Sequence, residues 1–204
     1  MKNVILLGAG GHSISVISVL KSAYPDIDIT IVGTSADVGA SVSGYKIEHT
    51  DVDLNNLSKY IKDCVIGVGF INSSVVFNHL IDLADRLEMN FPRVVSPRAY
   101  LSSDADLGVG VQILHQSYIG PSVSVGEHSI VNTGVIVEHG TNVGCRCHLA
   151  PGAVLLGDVS VGSGTFVGAN CTVMQGVSIG PGCLIGMGLT IRKDVPAGTK
   201  VVRQ

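Results

Sequence analysis

Residues 101–143 read LSSDADLGVGVQILHQSYIGPSVSVGEHSIVNTGVIVEHGTNV, and every sixth of them is Leu, Ile or Val. The series starts with Leu101, Leu107, Ile113, Ile119, Val125, Val131, Val137 and Val143. It continues unbroken through Leu149, Leu155, Val161, Val167, Val173, Ile179 and Ile185 to Ile191. An α-helix repeats about every 3.6 residues and a strand every two, so neither produces this spacing. A strict hexapeptide repeat is the signature of a parallel β-helix. Three hexapeptides make one triangular coil, so equivalent residues recur 18 apart: Leu107-Gly108, Val125-Gly126, Val143-Gly144, Val161-Gly162 and Ile179-Gly180 are in phase. Glycine at the same corner of successive coils predicts a tight turn with unusual backbone angles. The inward aliphatics stack in columns, and stability comes from the stacking of coils. Lys193-Asp194-Val195-Pro196 ends the series.

The rest of the composition agrees with such a core. The chain of 204 residues is 46% hydrophobic but only 4% aromatic, with no Trp, so its interior must be built from Val, Ile, Leu and Ala. A net charge of −3 offers no basic footprint for nucleic acid or an anionic membrane. No apolar stretch is long enough to span a bilayer. Met1-Lys2-Asn3 runs directly into the short apolar Val4–Leu7 without the pattern of a signal peptide, so a cytoplasmic location is expected. The five cysteines lack disulfide-scaffold spacing, which suits a reducing compartment. Cys147, Cys171 and Cys183 each lie two residues before a repeat aliphatic, a slot held elsewhere by Ala105, Ser117, Ser129, Ala153 or Thr165. They read as small buried thiols. Cys145-Arg146-Cys147-His148 has no second ligand pair nearby, so no metal is expected.

Residues 1 to about 90 carry no sixfold period. Val4–Leu7, Ile27–Val32, Cys64–Val68 and Phe91–Val95 read as four strands. Ser13–Ser22, Leu54–Ile61 and Ser73–Leu87 read as helices, with Ile14, Ile17, Val19 and Leu20 facing the core from the first and Val76, Leu80, Leu83, Ala84 and Leu87 from the last. This alternation predicts an α/β domain with a small parallel, Rossmann-like sheet over residues 1–96. Ser96-Pro97 marks the boundary, and residues 97–204 form the all-β domain.

Both halves together resemble the bacterial sugar O- and N-acetyltransferases of the NeuD/PglD type. The resemblance is carried by Leu7-Gly8-Ala9-Gly10-Gly11-His12, by Val94-Val95-Ser96-Pro97 and by Val131-Asn132-Thr133 through Val137-Glu138-His139. His148-Leu149-Ala150-Pro151-Gly152-Ala153 with Gly157 extends it. It implies a left-handed β-helix, although parallel crossovers are otherwise right-handed. It also implies a homotrimer, acetyl-CoA as cosubstrate in the groove between neighbouring β-helices, and a sugar or sugar nucleotide, such as a UDP-4-amino-sugar or a sialic acid, held by the N-terminal domain.

On that resemblance His139 is the general base, taking the proton from the attacking amine or hydroxyl; a neutral imidazole suits the task. The family commonly has a carboxylate directly after this histidine, where this chain has Gly140; Glu138 is the nearest acid in sequence. His148 matches the histidine that meets the acetyl group, and the Gly157 N–H matches a second contact to the same oxygen, together an oxyanion hole. Ala169 and Met187 fall where the family binds CoA through backbone groups. Gly10, Gly11 and His12 follow a strand and open a helix, a setting in which amides meet a phosphate. Ser13 replaces the last glycine of the dinucleotide pattern, so NAD is not expected. Asp37 alone stands where the family has an acidic pair, and the residue five after Gly69 is Ser74 where the family has Arg. These five, Gly10, Gly11, His12, Asp37 and Gly69, are the substrate-side candidates.

Two other readings fit the repeat. A metal hydratase of the γ-carbonic-anhydrase kind would need three interfacial histidines; His139 and His148 supply two, while His115 lies more than a coil below His139 and His128 is out of its 18-residue phase, a poor geometry for completing the set. A catalytically silent trimer that binds a ligand would account for Gly140.

Overall fold

The computed structural model describes residues 1–202. Contacts divide them into two units, Met1–Pro92 and the part from Arg93 onward. Among the described residues no helix is long and apolar enough to cross a membrane.

The first unit is a five-stranded sheet in the order β3-β4-β2-β1-β5, with β1 at Asn3–Leu7, β2 at Asp28–Gly33, β3 at Ser41–Val42, β4 at Tyr45–Thr50 and β5 at Cys64–Ile66. All pairings are parallel except β3 with β4. Val4, Ile5, Leu6 and Leu7 are wholly buried. A continuous apolar run of this kind is what a strand enclosed on both faces requires. The helices are α1 (Gly11–Ala23), α2 (Leu54–Leu57) and α3 (Val75–Arg86).

Four expectations change here. Ile14 is exposed, and α1 buries Val16, Ile17, Val19 and Leu20. Helix α3 buries Phe77, Leu80, Ile81 and Ala84, leaving Val76 exposed, because the aromatic Phe77 packs against Phe70 with ring centroids 5.2 Å apart. The Leu54–Ile61 helix is only one turn of α2 after a 3-10 turn at Asp51–Asp53. The hairpin β3–β4 is new. Its two-residue turn, Ser43-Gly44, has φ of 49° and 85°, the paired positive angles of a type I′ turn.

In the second unit the paired strands are two residues long and bond to their equivalents 18 residues on, for example Ile119 with Val137, Val137 with Leu155 and Leu155 with Val173. Three parallel sheets result, which together form the left-handed parallel β-helix expected. The repeat aliphatics from Leu107 to Ile191 form one buried column system, with Cys147, Cys171 and Cys183 filling the small inward slot. Inward hydroxyls in that slot are satisfied: Ser129 Oγ donates to Gly144 C=O at 2.7 Å and Thr165 Oγ1 to Gly180 C=O at 2.9 Å. Val94–Val95 pairs with Gln112–Ile113 and so begins the β-helix. It is not the fourth strand of the N-terminal sheet, because its hydrogen-bonding partners lie in the coils.

The glycines after the repeat aliphatics are there for a different reason from the one expected. None of Gly108, Gly126, Gly144, Gly162 and Gly180 has a positive φ. Instead, a Cβ on Gly126 would lie 2.6 Å from Cys145 N, and one on Gly144 2.6 Å from Ser163 N. They are glycine because the next coil leaves no room. The left-handed position is two residues later, at Gly110, Gln116, Ser122, His128 and Gly134, and on every sixth residue to Gly188, with φ between 53° and 72° throughout.

Candidate active site

One position of the hexapeptide stands outside the backbone ladder. Among the described residues, the N–H two residues after a repeat aliphatic donates to no backbone carbonyl of a neighbouring coil, although that of Cys145 reaches Ser163 Oγ at 3.1 Å. Glu138 N–H donates to Leu155 C=O at 2.9 Å and Gly140 N–H to Pro121 C=O at 3.0 Å, and His139 between them contributes only its carbonyl. Pro97, Pro121, Pro151 and Pro181 all occupy this position, where a residue without an N–H loses nothing. His139, Gly157, Ala169 and Met187 occupy it too. The β-helix therefore turns out amides at its corners that a ligand can use, and four sequence-predicted residues are among them.

His139 and Gly157 meet. They are one coil apart on the same corner, and a Cβ on Gly157 would lie 2.5 Å from His139 Nε2. The imidazole packs against the bare Cα of Gly157, with Cε1 and Nε2 nearest, and stays exposed to solvent. Any side chain at 157 would push it away. Glu138 is half-buried beside it, and Gly140 has φ of 66°.

His148 belongs to another sheet. It pairs with Ile130 and Phe166, is 7% exposed, and packs its ring edge against Phe166 with centroids 5.3 Å apart. Asn132 Nδ2 lies 3.3 Å from His148 Nε2. An amide proton given to Nε2 leaves the ring proton on Nδ1. Ala169 and Met187 stack on a further corner, where Gly188 N–H donates to Ala169 C=O at 2.8 Å. Met187 is 75% exposed. Among the described residues, no group of three His, Cys, Asp or Glu side chains is placed to hold a metal ion.

The first unit has its own cavity of about 270 Å³. Gly10 and Asp37 line it, together with Thr34, Asp51, Val76 and His79. Gly11, His12 and Gly69 do not. Gly8 turns the chain at the end of β1 with φ of 109°, where a Cβ would overlap Val68. Asp37 closes the turn after β2: Thr34 donates to Oδ2 from its N–H at 2.8 Å and its hydroxyl at 2.7 Å. These bonds hold its carboxyl below the ordinary carboxylate range. Ser74 precedes α3, its Oγ accepting from Asn78 Nδ2 at 3.2 Å. Asp51 and His79 are the polar lining residues that sequence reasoning missed. His79 was legible as the middle member of Val76-His79-Leu80, a one-sided spacing on α3; Asp51 was not, because it follows the unrecognised strand β4.

Residues 3–74 match the PglD N-terminal domain, residues 140–175 match the bacterial transferase hexapeptide (six repeats), and residues 158–193 match the hexapeptide repeat of succinyl-transferase. The chain thus joins a PglD-like N-terminal domain to hexapeptide repeats. The chain is similar over 100% of its length, with 27% identity and a TM-score of 0.91, to a GDP-perosamine N-acetyl transferase from Caulobacter crescentus. That protein, a histidine-to-alanine mutant, was solved with CoA and GDP-perosamine, and 94% of it is covered. The acetyltransferase domain of PglB from Neisseria gonorrhoeae FA1090, in complex with acetyl coenzyme A, is 26% identical with a TM-score of 0.89 over 98% of this chain and 95% of that one. WeeI from Acinetobacter baumannii AYE shares the fold at 19% identity and a TM-score of 0.74, over 100% of this chain and 97% of its own. No curated protein matches the sequence.

Proposed function

We propose that this chain is an acetyl-CoA-dependent acetyltransferase that acts on the amino group of a nucleotide-linked sugar, with His139 as the general base. The observation that carries the reading is the exposed His139 imidazole held against Gly157 at a ladder-free corner. Similarity over the full length to two acetyltransferase structures with CoA or acetyl-CoA bound supports it.

The amine lone pair attacks the thioester carbonyl carbon while His139 takes the nitrogen's proton. The Gly157 N–H, outside the ladder and beside the ring, donates to the oxyanion. Collapse of the tetrahedral intermediate breaks the C–S bond, and the thiolate leaves to become the CoA thiol with the proton from the imidazolium. His148 donates to the same carbonyl from a second copy of the chain. It stands on a different sheet from the corner that carries His139, so a site using both histidines draws on two protomers, as in a homotrimer. The cavity beside Gly10 holds the nucleotide, with the carboxylate of Asp51 and the His79 ring as partners for its hydroxyl and N–H groups.

The test is CoA release from acetyl-CoA against a panel of GDP-perosamine, UDP-4-amino-sugars, CMP-sialic acid and free sialic acid. Turnover is expected with an amino-sugar nucleotide. The reading fails if no acceptor supports turnover, or if only free sialic acid does.

A further inference from the structure

We propose that Asp158 is the positioning residue of His139, supplying from the next coil the carboxylate that the chain lacks at Gly140. The inference rests on the reading of His139 as the base. At this corner two side chains cross the space between successive coils in opposite directions. The His139 ring reaches forward to Gly157. The Asp158 carboxylate reaches back to Gly140, where an added Cβ would overlap its Oδ1. Their backbones are tied by Asp158 N–H donating to His139 C=O at 2.9 Å. Ring and carboxylate therefore stand on neighbouring columns of one corner, and the volume a side chain at 140 would fill is already held by Asp158.

Asn170 Oδ1 covers Gly152 in the same way, with Pro151 in place of the histidine, so the fold accepts an Asx side chain at this left-handed position; what Asp158 adds is the charge. Asp158 has φ of 58°, between Gly140 at 66° and Gly176 at 72° in the same column, and glycine is the least strained residue in that region. Asp104 and Asp194, also in this column, use their carboxylates on the N–H groups of Ser122 at 2.9 Å and Ser178 at 2.8 Å. Among the described residues Asp158 accepts no such bond. An exposed imidazole needs an acid beside it to fix its tautomer and to stabilise the imidazolium formed during proton transfer. Asp158 carries the carboxylate on the column next to the ring.

The test uses the full chain with ¹⁵N-labelled histidine, the His139 ring signals being assigned by their loss in His139→Ala. A single dominant tautomer is expected in the wild type and a two-tautomer mixture in Asp158→Gly. The pair Gly140→Asp with Asp158→Gly moves the carboxylate back one coil and should restore the single tautomer. With acetyl-CoA and GDP-perosamine, Asp158→Gly should lower kcat about 10- to 100-fold at unchanged KM, by analogy with the loss of groups that orient a ligating histidine. Its Tm should not fall, since glycine suits a left-handed position. Identical ring spectra in wild type and Asp158→Gly would overturn the proposal. Full turnover in His139→Ala would instead defeat the transferase reading, and the ring spectra would distinguish the two failures.

Discussion

The two units of this chain encode structure differently. In the β-helix each position of the hexapeptide has one job repeated from coil to coil: an inward aliphatic, a spacing glycine, a ladder-free amide and a left-handed residue. In the first unit each residue has a job of its own, fixed by neighbours far away in sequence. Repetition makes a departure visible. His139 and Asp158 stand out because the coils on either side carry Pro121 and Gly157 in the place of the first, and Gly140 and Gly176 in the place of the second.

That contrast is broken most severely by crowding the coils. Gly144→Ala places a methyl against Ser163 N, a backbone atom that cannot step aside. It should cost about 3 kcal/mol, at the upper end for overpacking, read as a fall in Tm. Gly164→Ala, with φ of 71° and nothing within 4 Å, tests the other role of glycine in the same repeat. It should cost about 1 kcal/mol, the penalty for a left-handed alanine. Equal losses would mean that the two glycine columns are not different in kind.

The first unit offers a local counterpart. Asp37 has a folded-state pKa below its unfolded value, through the two Thr34 bonds. Its contribution is therefore full above the unfolded pKa and is lost as the pH falls through the lower folded value. Asp37→Asn should be slightly less stable than wild type at pH 7, and urea titrations should show the difference closing in acid. A gap that persists below the carboxylate range would contradict the assignment. The smallest effect concerns the thiols. Burial pushes Cys64 up to about 12 and Cys147 and Cys171 up to about 11, and Cys183 is also buried, while Cys145 is exposed. Alkylation of the native chain at pH 8 should modify Cys145 and spare the other four, as mass spectrometry of the digest would show.

The hexapeptide columns were legible because a period of six has few structural solutions, and the residues gathered at one corner, His139 and Gly157, followed from counting. The function of Gly144 and its equivalents was not, because closeness between coils is a tertiary property that a period does not state. Nor was the value of Asp158, which depends on the empty side of Gly140 one coil away. In the first unit the hairpin at Ser43-Gly44 went unread, and the parallel pairing of β4 with β2 is set by contacts outside either strand. The cavity of the first unit suffered from the same limit: Asp51 enters it only because β4 delivers it there.

The central claim is that the His139 corner is the acyl-transfer site. It is tested most directly by the rate of CoA release from acetyl-CoA with GDP-perosamine, compared between wild type and His139→Ala. Loss of the base should lower kcat/KM by about 10²- to 10⁴-fold with the fold intact. An undiminished rate in His139→Ala would contradict it.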